Sequence, residues 1–343
     1  MNQTLIKIHS STLHHVGNNL RDEGIIISKS MNHFDGELNE DIKTYFLSSF
    51  KSNEYFNLYH DSDIDLNEVY SFVSKIFDNP DNLHEQSISL AKHLYEQSNH
   101  PKIKGGEFYV VYFEGCEING EIVDAVGLFK SENKDTFLKV YPSGDNFEIE
   151  SQQGVNINKL DKGALIFNTD HENGYVVAVV DNTNKGAEAH YWIDDFLHVR
   201  QRQDEYYNTQ NVMNLAKSFI KEMPNEFEVS RADQVDLANR TTKFFKEKDS
   251  FDMEEFANEV IEQPEVIESF NRYKEAYAQE RDIEFTDSFA ISDSAVKKGA
   301  RALKSVIKLD KNFHIYIHGD RNKIENGEDE KGKFYKVYYN EEM

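Results

Sequence analysis

FYVVYFEGCEINGEIVDAVGLFK, residues 108–130, decides the fold. Two runs of β-branched and aromatic residues, FYVVYFEG and EIVDAVGLFK, flank the pair Asn119-Gly120. Asn-Gly favours a type I′ turn because both central positions tolerate positive φ, so this stretch reads as a β-hairpin. The same texture continues through TFLKVYP, NFEIES, ALIFNT and YVVAVVDN, with turn chemistry at Ser143-Gly144-Asp145 and Asn173-Gly174. Residues 108–182 are therefore expected to form an antiparallel meander, with the preceding helices covering one face.

Outward from the meander the periodicity changes to that of helices. LNEDIKTYFLSSF (38–50) places Ile42, Tyr45, Phe46 and Phe50 at helical spacing, and YFNLY (55–59) reads as a strand. LNEVYSFVSKIF (66–77) and NLHEQSISLAKHLYEQ (82–97) are amphipathic, the second through Leu83, Ser87, Leu90 and Leu94. C-terminal to the meander, Asp204 caps a helix carrying Val212, Leu215 and Phe219, and Ser230 with Asp233 forms a capping box before Val235, Ala238 and Phe245. Pro264 suits the first turn of a helix through Val266, Phe270, Tyr273 and Tyr277. The class is α+β: an N-terminal antiparallel sheet with helices over 1–185, a central acidic helical segment over 186–290, and a small basic α/β tail over 291–343, read as a helix and a β-hairpin.

With 38% hydrophobic and 13% aromatic residues, the 343-residue chain can bury a substantial core. Its single cysteine, Cys116, excludes an intrachain disulfide and fits a reducing compartment. Flanking Glu114 and Glu117 give that thiol no electropositive neighbour, so it is expected to be inert. The N-terminus, MNQTLIKIHSSTLHH, lacks the apolar core of a signal peptide, and no run approaches the roughly 18 apolar residues that span a bilayer. A cytoplasmic protein with no membrane partner is expected. The net charge of −24 by itself repels polyanions at long range.

Against that charge stands SVIKLDKNFHIYIHGDR (305–321) with AVKKGARALK (295–304) before it. Between Val296 and Arg321 the chain gathers Lys297, Lys298, Arg301, Lys304, Lys308, Lys311 and Arg321 against Asp310 and Asp320, a local +5 in a chain whose remainder sums to −29. On a helix running to Ile307, Val296, Ala300, Leu303 and Ile307 share one face, and Lys297, Arg301, Lys304 and Lys308 form a neighbouring stripe. NFHIYIHG and KFYKVYYNEE then read as two strands joined by DRNKIENGEDEKG. Such a stripe either is a solvated face or contacts phosphates, where Lys and Arg release condensed counterions. With a Debye length of about 8 Å in physiological salt, a basic patch acts locally while distant acid is screened.

Other chemistries find little support. There is no G-x-x-x-x-G-K-[ST], G-x-G-x-x-G or G-x-S-x-G. His314 and His318 would lie about 13 Å apart on a strand, too far to share a metal. Asp124, Glu132 and Lys134 formally match the Asp…Glu-x-Lys pattern of metal-dependent nucleases, yet SENKD reads as a polar turn. No cofactor, metal or catalytic residue is expected.

The tail SVIKLDKNFHIYIHGD…GKFYKVYYNEE resembles the C-terminal segment of the bacterial nucleoid-associated protein family, the NdpA/YejK-like group. GVNINKLDKGALIF (154–167) and WIDDFLHVRQRQDEYYNTQNVMNLAKSF (192–219) are similar to further segments of that family, in order and spacing from Ile6 to Glu341. The resemblance implies a non-enzymatic bacterial protein of the cytoplasm and nucleoid whose partner is DNA, expected here to be double-stranded. It carries over no catalytic set; the seven Lys/Arg named above are a reading from charge. Two alternatives stand beside it. The acidic helices, net −10 over residues 201–290, could dock a DNA-processing protein, or the chain could be a metal-dependent nuclease. Exposed strand edges and aromatic tails such as FYKVYY are compatible with a homodimer.

Overall fold

The computed structural model describes residues 5–183, 190–303, 306–317 and 321–341. The elements of the first half are β1 (Lys7–Val16), β2 (Ile25–Ile26), α1 (Gly36–Leu47), β3 (Tyr55–Leu58), α2 (Glu68–Asp78), α3 (Leu83–Gln97), β4 (Gly106–Ile118), β5 (Glu121–Ser131), β6 (Asp135–Ser143), β7 (Asn146–Gly154), β8 (Lys162–Phe167), β9 (Val176–Asp181) and β10 (Val199–Gln201). The second half holds α4 (Glu205–Glu222), α5 (Arg231–Glu247), β11 (Ser250–Asp252), α6 (Met253–Phe256), α7 (Pro264–Arg281), β12 (Ser288–Ala290), α8 (Asp293–Ala302), β13 (Val306–Leu309), β14 (Phe313–Tyr316), β15 (Ile324–Asp329) and β16 (Gly332–Val337). The class is α+β, with a large antiparallel sheet.

Two compact units divide the chain, residues 1–202 and 203–343. Composition suggested a boundary near 290 as well, but α8 does not separate from the acidic helices. Its Val296 is buried with Val212, Leu215 and Phe219 of α4 in one apolar cluster.

In the first unit the strand order is β10-β3-β9-β8-β5-β4-β1-β2, every pair antiparallel. The turn between β4 and β5 forms as its sequence requires: Asn119 and Gly120 take φ of 50° and 82°, and Ile118 pairs with Glu121. The meander is interrupted, however. β5 pairs directly with β8, from Ala125 opposite Phe167 to Lys130 opposite Lys162, and β6–β7 leaves the sheet as a separate ribbon.

FYVVYF is apolar without alternation because both faces of β4 are buried. Phe108, Val110 and Tyr112 face one cluster with Val69, Val73, Leu90 and Leu94 of α2 and α3. Tyr109, Val111 and Phe113 face another with Tyr45, Phe46 and Leu47 of α1. Helices thus cover both faces, where the sequence led us to expect one. Cys116 lies in the second cluster, and burial, with the charge of Asp124, pushes its thiol up to about 12. Phe46 anchors α1: its ring stacks on Phe129 at 4.2 Å and meets Tyr109 edge-on at 5.2 Å. Truncating such a ring leaves a void its neighbours cannot close, so Phe46→Ala is expected to lower unfolding free energy by about 3–5 kcal/mol in denaturant titrations.

One buried histidine ties β1 to α3. The Ser28 N–H donates to His14 Nδ1 at 3.2 Å, which leaves Nε2–H to donate to Ser87 Oγ at 2.9 Å. Burial, with His84 nearby, lowers its pKa from 6.5 to about 4. The folded chain therefore holds His14 neutral while the unfolded chain takes up a proton below pH 6.5. Stability from this group is present above 6.5 and lost as pH falls toward 4. His14→Gln should flatten the slope of unfolding free energy against pH in that window, measured by urea denaturation.

Candidate nucleic-acid interface

The basic island sits in the second unit, and its first part is α8. The Ser292 N–H donates to Thr209 Oγ1 on α4 at 3.0 Å, and the Val296 N–H to Ser292 O at 3.0 Å starts the helix. Ala295 and Val296 are buried. Gly299 permits the close approach to α4, since a Cβ there would stand 2.5 Å from Met213 Sδ. Packing on that side turns Lys297, Lys298 and Arg301 outward, and all three are exposed. Lys297 and Arg301 are one turn apart on one face. Lys298 Nζ lies 5.6 Å from the centre of the Tyr206 ring, a cation–π contact. Arg301 falls in the last turn, where the negative end of the helix dipole favours a cation.

The helix ends at Ala302 instead of continuing through Ile307. Val306 and Ile307 are β-branched and enter β13, paired with Tyr316 and Ile315 of β14. Lys308 consequently lies on a strand and not on the helical stripe. Its cross-strand partner is His314, and alternation adds Tyr316 to the same face; all three side chains are exposed. The other face seats Ile307 against Ala232 and Val235 of α5, with Ile317 and Ile324. Asp310 takes φ of 41° and accepts the Asn312 N–H at 2.7 Å, forming the turn that presents exposed Lys311. NFHIYIHG and KFYKVYYNEE do not pair with each other: β14 pairs with β13, and β16 pairs with β15. Lys304 lies outside the described residues.

Arg321 is occupied. Its Nε stands 2.8 Å from Asp233 Oδ1, and Nη1 donates to Ile324 O. Asp233 also serves the capping box, accepting from Ser230 N at 2.8 Å and Ser230 Oγ at 2.6 Å. Burial would raise the Asp233 pKa, but the Ser230 bonds and Arg321 outweigh it and hold the carboxyl below its ordinary value. The adjoining cleft along α5, about 1150 Å³, is lined by carboxylates as well as cations. Arg240 there is held between Asp236 and Glu262, each at 3.0 Å, so the cleft offers no surplus of positive charge. By contrast, Lys297, Arg301, Lys308 and Lys311 have no ion-pair partner within 4.0 Å among the described residues.

The nuclease pattern does not assemble. Asp124 and Glu132 are eight positions apart along and just beyond β5, about 26 Å at strand rise. Asp124 accepts from Tyr112 Oη at 2.8 Å, and Lys134 pairs with Glu107 at 2.7 Å. Glu132 belongs to a buried network around the cross-strand pair Lys130 and Lys162. Tyr191 Oη donates to it at 2.6 Å, and Lys130 Nζ stands at 3.3 Å. Lys162 Nζ meets Asp181 at 2.8 Å and Thr183 Oγ1 at 2.7 Å. Burial lowers the Lys130 pKa, with Glu132 opposing, and burial beside Glu132 raises that of Tyr191. No group of three or more His, Cys, Asp or Glu suited to a metal occurs among the described residues.

A family model described as nucleoid-associated protein YejK matches residues 12–332. The chain belongs to the nucleoid-associated protein YejK family. No curated protein matches it. The YejK family match takes in the meander, the acidic helices, α8 and the β13–β14 hairpin, so the basic island lies within it. Sequence reading weighed His314 only as a metal ligand with His318 and did not single out Tyr316. The signal was present in the alternation of 313–317, but it becomes a shared face with Lys308 only once 306–309 is a strand.

Arg321 and the open cations separate by experiment. Arg321→Ala should lower stability by about 1 kcal/mol, the scale of a half-exposed ion pair with one backbone bond, seen as a shift in denaturant midpoint. Lys297→Ala and Lys308→Ala, at exposed side chains, should leave that midpoint nearly unchanged.

Proposed function

We propose that this nucleoid-associated family protein binds double-stranded DNA directly, through backbone phosphates, and has no catalytic role. Lys297, Lys298 and Arg301 of α8, with Lys308 and Lys311 of the β13–β14 hairpin, are the contacts; Lys304 joins them by sequence. The observation that carries the reading is that Lys297, Arg301, Lys308 and Lys311 meet no carboxylate among the described residues, in a chain with 62 carboxylate residues against 38 cations. Carboxylates in such excess would pair cations wherever pairing served the fold, as happens at Arg321. Tyr316 and His314 beside Lys308 add stacking and hydrogen-bonding surface without a base-reading constellation, so contacts position the protein on the duplex and discriminate little between sequences. The family's name supports a role at the nucleoid, and no described helix is long and apolar enough to cross a membrane.

Five phosphate contacts, or six with Lys304, give a slope of log K against log salt of about −4.5 to −5.5. A salt titration of purified protein on duplex DNA should return that slope, and Lys297→Glu/Arg301→Glu/Lys308→Glu should abolish retention while leaving circular dichroism unchanged. Unaltered retention by the triple variant overturns the reading. Failure of the wild-type protein to shift naked DNA at low salt favours the second reading, in which the acidic helices 204–290 dock a DNA-processing protein and the DNA contact is indirect.

A further inference from the structure

The chain leaves the large sheet between β5 and β8 as a ribbon, β6–β7, that pairs with no other strand among the described residues. Its base is fixed, because Asp135 accepts from Asn156 Nδ2 and Lys159 Nζ, both at 2.8 Å. The register sorts its side chains into two unlike faces. Lys139 opposite Glu150 and Tyr141 opposite Glu148 share one face. There Tyr141 Oη bonds Glu148 at 3.0 Å and Glu150 at 2.7 Å, and Lys139 Nζ lies 5.6 Å from the Tyr141 ring. The other face pairs Leu138 with Ser151, Val140 with Ile149 and Pro142 with Phe147, and carries no charge. Its apolar side chains stand in solvent: Leu138 is 66% exposed, Val140 57%, Phe147 72% and Ile149 65%. Phe137 is the apolar residue that falls on the charged face. A two-stranded ribbon is marginally stable alone, and alternation that gathers Leu138, Val140, Phe147 and Ile149 on one face is the pattern of a strand pair meant to be covered.

We propose that a second copy of this chain covers it, the two ribbons packing face to face across a two-fold axis. The ribbon is self-complementary. An axis in the plane between the ribbons, perpendicular to the strands at the Val140–Ile149 pair, sets Val140 on Val140 and Ile149 on Ile149 of the other copy. It also sets the bulky Phe147 over the small Ser151, and Pro142 over Leu138. Charge permits the approach: each chain carries −24, but Glu148 and Glu150 lie on the far face, so the surfaces that meet are neutral. The area suffices as well. These side chains leave roughly 500 Å² of apolar surface per copy, or roughly 1,000 Å² for the pair, the lower bound of a specific interface.

This inference stands apart from the DNA reading, since it rests on the first unit alone and its test contains no nucleic acid. Sedimentation equilibrium of the full chain up to about 100 μM should show a dimer, and Leu138→Asp/Ile149→Asp should be monomeric with an unchanged circular dichroism spectrum. Packed sheets lie about 10 Å apart, so Ile149→Cys should cross-link with a bis-maleimide of that span. Lys139→Cys, on the far face, should not, and the native Cys116 is buried. This second readout needs no charged substitution and holds if the aspartate variant fails to fold. A wild-type chain that stays monomeric at about 100 μM, a double variant that remains dimeric, or equal cross-linking at 139 and 149 would each overturn the proposal.

Discussion

The two-sided burial of β4 organises the first unit. A strand whose successive side chains Phe108 to Phe113 are all buried needs apolar cover above and below. The α2–α3 pair supplies one layer and α1 the other, and that demand explains why three helices precede β4. It also explains the exit of β6–β7. A strand beside β5 inside this sandwich must present apolar side chains on both faces. KGALIF of β8 does so and is buried throughout. TFLKVYP alternates, and placing it there would bury Lys139 and Tyr141 between helices without partners.

The same constraint accounts for the polar network at the end of β5. Where Lys130 meets Lys162 across the strands, two like charges are fully buried. Unpaired, each would cost several kcal/mol in desolvation. Glu132, Asp181 and the Tyr191 ring, within 5.3 Å of both ammonium groups, supply the compensating charge and π-face. Glu132 is thereby committed to holding a strand end, which leaves it unavailable as a metal ligand whatever pattern it matches in the sequence.

Much of this was legible in the sequence, and the failures share a cause. Asn119-Gly120, the Ser230–Asp233 capping box, Asp204 as a cap and Pro264 at a first turn all act through local backbone geometry, which a single sequence encodes directly. The readings that changed depend on what lies across space. Ile307 fits a helical spacing from Val296 as well as it fits a strand, and only pairing with Ile315 chooses between them. Likewise the segments of β6 and β7 look like sheet strands until Ala125 is found opposite Phe167. Of the basic island, the charge count was visible but its division was not: Asp233 is 88 positions from Arg321, and their contact removes one cation from the surface set.

How a chain of −24 would hold a polyanion, on the function proposed above, follows from range and number. Salt confines each charge to about 8 Å, so the acidic helices would not cancel open cations that touch phosphates; they would act on approach, slowing encounter and opposing broad coating. Few contacts per copy would keep the affinity modest and strongly dependent on salt.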